Sequence, residues 1–203
     1  MTLTGKARRF YVKSTGLKSV VACNSSRNVR NLRLIVGEYN YWNSITMCIP
    51  TPIKQFWKSF EADIGHDATS RFYESFHFDD NETNANALGD LVLQGPKRAT
   101  AGLLWTNEMN SKPIPRVGDL SVVTDWQQEP LCIIETTQVE IVPYEEVGEA
   151  FAAIEGEGDG SLRFWREVHW LYFSRECQRL GKEPSLRMPI ICERFKVVYP
   201  YCD

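Results

Sequence analysis

The segment that decides how this chain folds is Gln94-Gly95-Pro96-Lys97-Arg98-Ala99-Thr100-Ala101. The residues before it, from about Thr83 to Gln94, repeat apolar side chains at helical spacing, and glycine is the residue type that most often ends a helix. The residues after it, from Ala99 to Trp105, are typical of a buried strand. The segment therefore predicts a helix-to-strand junction with two cations at its centre.

Lys97 and Thr100 have the chemistry of a catalytic pair at this junction. An ammonium group between two elements can meet a phosphate or a carbonyl oxygen, and a neutral lysine beside a hydroxyl can activate it as a nucleophile. Arg98 would then contact the ligand. The alternative is that Lys97 and Arg98 form a solvated pair of cations behind a helix end, and the residue types alone leave both interpretations open.

A second group of functional candidates lies in the segment Glu155-Gly156-Glu157-Gly158-Asp159-Gly160. Its glycines let carboxylates approach a ligand or another backbone closely. A carboxylate that faces Lys97 can hold it charged, donate a proton or bind a divalent metal. The segment does not match an EF-hand calcium loop. The alternative is a solvated loop in front of a helix that Ser161 caps.

Two further residues are candidates for ligand contact, Trp105 and Glu135. Trp105, at the end of a predicted strand and beside a loop, is a candidate for stacking on a base. Glu135 lies among apolar residues, where an inward-pointing carboxylate would need a partner. His169 is interpreted as a packed or edge histidine in a long helix rather than as a catalytic one.

The order of the predicted elements indicates the α+β class. Strands that follow each other without an intervening helix imply antiparallel pairing. The predicted elements are, in order, a helix from Ile53 to Ile64, a short helix around Phe72 to Phe76, the helix to Gln94, strands at Ala99–Trp105, Leu120–Trp126 and Leu131–Val142, a helix starting at Pro143, a helix from Ser161 to Gly181, and a strand at Ile190–Tyr199.

Composition narrows the class of protein. The chain has 203 residues, of which 43% are hydrophobic, so it can fill a core of its own. We expect no membrane contact, since no apolar run approaches the length of a membrane span. The six cysteines form no Cys-x-x-Cys pair and are interpreted as buried small side chains of a cytoplasmic protein.

Charge divides the chain into two parts. Residues 1–46 contain eight Lys or Arg and one acidic residue, whereas the remaining 157 residues contain 15 Lys or Arg and 25 Asp or Glu. We interpret residues 1–46 as a basic extension without a fold of its own. Three alternatives remain open. The extension lies outside the native protein and Met47 is the true start, it is a real basic tail, or it is a targeting segment. The acidic remainder argues against binding to long double-stranded DNA.

The junction and the segments around it resemble the ASCH domain family, and within it a stand-alone bacterial subfamily. Gly95-Pro96-Lys97-Arg98-Ala99-Thr100 is similar to the Gly-x-Lys-x-x-Thr signature of that family. The resemblance extends over about residues 53–200 through an ordered set of further segments. These are Phe56-Trp57, Phe76-His77-Phe78, Pro115 to Leu120, Ile134 to Thr137, Glu155 to Asp159, Phe164-Trp165 and Cys192-Glu193-Arg194-Phe195.

The resemblance implies a PUA-like, mostly antiparallel β-barrel flanked by helices and formed by residues 47–203. It also implies a cleft at Lys97 that holds RNA or a modified nucleoside. One branch of the family resembles an amidohydrolase that deacetylates acetylcytidine. There Lys97 and Thr100 would carry the chemistry and Glu157, less favourably Glu155, would protonate the leaving group.

Another branch of the family resembles a metal-dependent ribonuclease. This second branch implies a divalent metal such as manganese, although the residues themselves assign no metal ligand and no cofactor. The remaining alternative is a non-catalytic RNA-binding module, in which Lys97 and Arg98 contact phosphate and Trp105 stacks on a base.

Removal of residues 1–46 is expected to leave the stability of the fold unchanged, because the regular helical and strand patterns begin at Ile53. The Tm of residues 47–203 should equal that of the full chain in thermal unfolding. A large drop in Tm would show that the first 46 residues belong to the folded domain.

Overall fold

A computed structural model describes residues 49–200 of the chain. The basic extension at residues 1–46, Met47, and three of the six cysteines lie outside the described residues. The three cysteines that the structure describes are Cys132, Cys177 and Cys192, and all three are buried free thiols, as the composition predicted.

The described residues form an α+β fold. The helices are α1 (Thr51–Ile64), α2 (Glu82–Gln94), α3 (Leu104–Met109), α4 (Glu149–Glu155) and α5 (Leu162–Leu180), with short 3-10 turns at Thr69–Arg71 and Tyr144–Glu146. The strands are β1 (Phe72–Phe76), β2 (Ala99–Leu103), β3 (Leu120–Thr124), β4 (Pro130–Pro143) and β5 (Pro189–Tyr199).

The five strands form one sheet in the order β1-β3-β4-β5-β2. Three of the four pairings are antiparallel, as predicted, and β1 runs parallel to β3. The sheet is not closed into a barrel, which corrects the expectation of a PUA-like β-barrel. The edge strands β1 and β2 have only five residues each and do not pair with each other. Both of them instead contribute residues to one cavity.

Helix α1 shows how the sequence pattern becomes packing. Ile53, Trp57 and Phe60 recur at helical spacing and are all buried. They pack with Leu120 of β3 and Ile133 of β4, so this helix covers one face of the sheet. Burial of each such side chain stabilises the fold by roughly 1.5–3 kcal/mol. The prediction of a helix ending at Gly65 is confirmed.

Residues 72–76 form a strand rather than the predicted short helix. Phenylalanine and tyrosine favour strands, and a run this short does not show its period reliably. Its state is decided by the pairing of Phe72 and Phe76 with Leu120 and Val123 of β3. No pattern within residues 72–76 predicts this pairing.

Two other predicted boundaries are corrected. The strand that starts at Ala99 stops at Leu103, and the chain turns at once into α3. Pro143 ends β4 and is followed only by the 3-10 turn Tyr144–Glu146, not by the predicted α-helix. The helix therefore begins only at Glu149.

Helix α5 begins and ends where the sequence predicted. The Ser161 side chain accepts a hydrogen bond from the backbone N–H of Phe164, and Gly181 adopts the left-handed conformation at the other end. At 19 residues it is the longest helix that the structure describes. Among residues 49–200, no helix combines the length and the apolar character needed to cross a membrane.

Gly156 allows the segment after α4 to lie directly against the junction at Pro96. Its φ is +69°, and a Cβ at this position would collide with the backbone carbonyl of Pro96. Gly65, at the end of α1, has a similar φ of +75° but no atom within 4 Å of the corresponding Cβ position. The two glycines thus differ in their surroundings and not in their backbone conformation.

Gly65→Ala is expected to lower the free energy of unfolding by about 1 kcal/mol, the cost of a left-handed alanine. Gly156→Ala should cost about 2–4 kcal/mol, because the Pro96 backbone must also move. Urea unfolding of both variants beside the wild type measures the difference. Equal losses would show that the two segments are not in contact.

Candidate functional site

The junction at residues 95–98 is held between α4 and β5 by backbone hydrogen bonds. The amide of Arg98 donates to the carbonyl of Ile154 at 2.9 Å, and the carbonyl of Arg98 accepts from the amide of Phe195 at 2.9 Å. These bonds place Lys97 opposite the end of α4. The approach of residues 96–98 to residues 154–156 is therefore what brings the lysine to the acidic segment.

Lys97 is completely buried between two carboxylates. Its Nζ lies 2.5 Å from Oε1 of Glu157 and 3.3 Å from Oε1 of Glu155. The lysine side chain is 0% exposed, and the two glutamates are 15% and 1% exposed. The ring of Phe78 lies 5.0 Å from the same nitrogen. Two carboxylate partners offset the cost of burying this ammonium group.

Glu155 is the buried centre of this cluster. The indole N–H of Trp165 donates to its Oε2, while its Oε1 faces Lys97 and, at 3.5 Å, Nε2 of His169. Burial by itself would raise the pKa of Glu155, but Lys97 and then His169 outweigh burial and hold the pKa below its usual value. The carboxylate therefore remains ionised at neutral pH.

His169 belongs to the same cluster, although the sequence indicated only a packed histidine. Its Nδ1 lies 2.9 Å from the carbonyl oxygen of Trp165, to which it donates, and its ring stacks on that of Trp165 at 4.3 Å. Burial opposes its charged form, but the facing carboxylate of Glu155 raises the pKa of His169 overall. The signal in the sequence was the four-residue spacing, which places His169 and Trp165 on one face of α5.

A cavity of about 440 Å³ lies beside this cluster. Glu155, Glu157 and Thr100 all line it. Lys97 does not, since it lies beneath the wall and reaches the cavity through the carboxylates that it contacts. Aromatic rings form much of the remaining wall, at Tyr73, Phe76, His77, Phe78, Phe164 and Tyr172.

The other three predicted contact residues do not line this cavity and have partners elsewhere. Arg98 donates to the carbonyls of Val92 and Lys97 at 2.8 Å, which closes the end of α2. The ring of Trp105 lies 4.6 Å from Nζ of Lys182. The carboxylate of Glu135 is paired with Arg71 and Lys196 on the outside of the sheet, at 3.0 Å and 3.3 Å.

Four further carboxylates line the cavity, at Glu74, Asp79, Glu176 and Glu193, and no sequence pattern separately indicated a role for them. Nζ of Lys112 lies 2.6 Å from Oε1 of Glu74, and Arg179 forms an ion pair with Glu176. Glu193 accepts a hydrogen bond from the hydroxyl of Thr136 at 2.6 Å. Burial, only partly offset by that bond, raises the pKa of Glu193 to about 7.

A divalent metal does not fit the cluster while Lys97 is in place. Glu155, Glu157 and His169 bring three possible ligand atoms within 4.8 Å of one another. The Lys97 ammonium already lies 2.5 Å and 3.3 Å from the two carboxylates, so a metal ion would have to displace one cation with another. We therefore assign no step to manganese or to any other metal.

The profile of the ASCH domain family matches residues 74–199, which include the junction, the acidic segment and all the strands from β2 onwards. The chain belongs to the ASCH domain family. An ASCH domain from Lactobacillus crispatus JV V101 is 38% identical, with a TM-score of 0.69, and the match covers 74% of this chain and 96% of that one. Protein EF3133 of Enterococcus faecalis V583 is 32% identical, with a TM-score of 0.66, over 72% of this chain and 88% of its own.

No protein of curated function matches the chain. The family profile and the match to the Lactobacillus ASCH domain confirm the family that the junction indicated.

Lys97→Met is expected to destabilise the fold by about 3–5 kcal/mol at pH 8, because it leaves buried carboxylates without their cation. A small effect would have been expected for a lysine exposed in a cleft, but Lys97 is 0% exposed. Urea unfolding beside Lys58→Met, an exposed lysine on α1, isolates the effect.

The loss of stability in Lys97→Met should shrink as the pH falls from 8 towards 4.5. In the wild type the lowered pKa of Glu155 contributes stability that is complete above its ordinary value of 4.5 and is lost only below it, so the change between pH 8 and 4.5 comes from the variant. In Lys97→Met burial favours the neutral carboxyl, so acidification stabilises the variant. A loss that is independent of pH would contradict the buried ion pair.

Proposed function

We propose that this ASCH domain protein binds a modified nucleoside in the cavity beside Lys97 and hydrolyses an amide bond on its base. The observation that carries the proposal is the convergence of Thr100 and Glu157 on one cavity, with the buried Lys97 ammonium 2.5 Å behind Glu157. A hydroxyl and a fixed carboxylate in one enclosed space are the groups that acyl transfer requires.

The walls of the cavity support a nucleobase as the ligand. A volume of about 440 Å³ lies within the range of small-molecule sites. Phe78 presents an aromatic surface from the segment between β1 and α2, and Phe164 and Tyr172 present theirs from α5. Such rings stack on bases, and each stacked base is worth roughly 1–3 kcal/mol.

The charge of the cavity supports an uncharged nucleoside over an RNA backbone. The acidic groups in its lining are Glu74, Asp79, Glu155, Glu157, Glu176 and Glu193, whereas its lining includes only one lysine, Lys112. A phosphodiester would meet an excess of negative charge, and the cations that offset it are already paired. This observation favours the amidohydrolase over the ribonuclease.

The residues take the following roles in the proposed reaction. Thr100 attacks the acyl carbon. Glu157 accepts a hydrogen bond from the amide N–H and orients the scissile bond, because a carboxylate paired with Lys97 is an acceptor. Lys97 is a positioning residue, since it holds Glu157 but does not line the cavity.

A non-catalytic module that binds a nucleoside or RNA is the second candidate. The observation in its favour is that Nζ of Lys97 lies between two carboxylates and does not line the cavity, so it is not placed to activate Thr100. Such a module would bind its ligand through the aromatic walls of the cavity alone and would not hydrolyse it.

Hydrolysis of acetylcytidine by the full chain tests the proposal. Thr100→Val should lower kcat at least about 1000-fold as the lost nucleophile, and Glu157→Gln should lower it less. The matched control is Thr137→Val, an exposed threonine on β4, which should keep full activity.

A short RNA with and without manganese forms the second arm of the experiment. Cleavage of RNA that depends on Thr100 or Glu157 would replace the amidohydrolase with the ribonuclease. Binding of acetylcytidine in calorimetry without turnover of either substrate would leave the binding module.

A further inference from the structure

The proposed reaction needs a base for the Thr100 hydroxyl, and Lys97 does not supply one. Its ammonium is held by Glu155 and Glu157 at 3.3 Å and 2.5 Å. Another group that faces Thr100 must therefore take the proton.

Glu193 lies directly opposite Thr100 across the β2–β5 pairing. Side chains of directly opposed residues in an antiparallel pair project from the same face of the sheet, with their Cβ atoms about 5 Å apart. A carboxylate at that distance reaches a threonine hydroxyl by side-chain rotation. The register alone thus makes Glu193 a neighbour of Thr100.

The alternation along both strands confirms which way the two residues point. Ala99 and Cys192 face the apolar core under α5. Thr100 and Glu193, the next residue along each strand, line the cavity. A shift of the register by one residue would bury Glu193 in the core, so its place in the cavity is specified by Ile190 and Cys192, which lie on the opposite face of β5 and pack in the core.

The surroundings of Glu193 suit a proton acceptor at neutral pH. Tyr73, Glu74 and Lys112 face it from β1 and the segment after α3, and Asp119 faces it from the start of β3. Lys112 is paired with Glu74 at 2.6 Å. Burial, together with the two neighbouring acids, brings the pKa of Glu193 to about 7, where a carboxyl exchanges its proton most readily at neutral pH.

We infer that Glu193 is the general base that takes the proton of Thr100 during amide hydrolysis. This inference rests on the proposed function and adds a catalytic residue to it. The Thr136 hydroxyl of β4 donates to Oε1 of Glu193 at 2.6 Å, and the carboxylate turns from this partner to reach Thr100.

Glu193 takes up and returns the transferred proton in each half of the reaction. The hydroxyl proton moves to Glu193 as the bond from Oγ of Thr100 to the acyl carbon forms. Glu193 passes that proton to the amide nitrogen as the C–N bond breaks and the amine leaves. Water then gives a proton to Glu193 as it attacks the ester, and Glu193 returns the proton to Oγ as the carboxylic acid leaves.

Kinetics of Glu193→Gln on acetylcytidine test the inference, with Glu140→Gln as the matched control. Glu140 is an exposed glutamate on the neighbouring strand β4. Glu193→Gln should lower kcat by about 10²–10⁴-fold while KM and Tm stay within twofold and a few degrees of the wild type. Glu193→Asp should recover part of kcat, and Glu140→Gln should match the wild type.

The pH profile separates a base from a merely structural residue. Wild-type kcat/KM should rise with pH through about 7, the pKa of Glu193, as the carboxyl loses its proton. The rise should be absent from the residual activity of Glu193→Gln. An active wild type with an unchanged rate and pH profile in Glu193→Gln would overturn the role of Glu193 and leave the proposed function intact. A wild type without turnover would overturn both.

Discussion

The ion cluster of Lys97 with Glu155 and Glu157 is the interaction on which the rest of the site depends. Burying a lone ammonium or carboxylate costs several kcal/mol, so neither partner can remain inside without the other. The cluster joins the segment that follows α2 to the end of α4. Lys97 and Glu155 lie 58 residues apart in the chain. Trp165 and His169 extend it into α5. The walls of the cavity on this side are therefore held together by charge.

The open sheet supplies the other side of the cavity. A closed barrel would pair β1 with β2 and fill the space between them with main chain. Because both edge strands are short, that space remains available to a ligand and is lined by Thr100 on one edge and Glu74 on the other. Polar groups that line one cavity and are held by different elements suit both binding and catalysis.

Much of the framework could be predicted from residue patterns. The helices at Thr51–Ile64 and Leu162–Leu180 have a buried apolar face or a recognisable cap, and β4 and β5 are rich in β-branched residues. The failures lie where tertiary pairing decides. Phe72–Phe76 became a strand because it pairs with β3, and the sheet stays open because β1 and β2 do not pair with each other. Periodicity describes one element at a time and does not contain these constraints.

The sequence by itself determined the family and three of the residues that line the cavity, Thr100, Glu155 and Glu157. The signature at Lys97 and Thr100 and the acidic segment at Glu157 identified residues whose chemistry can be read locally. Only the tertiary structure decided that Lys97 is buried beneath the wall, that His169 belongs to its cluster and that Glu193 lies opposite Thr100. These facts depend on burial and strand register, which arise from contacts between residues distant in the chain and are absent from any short pattern.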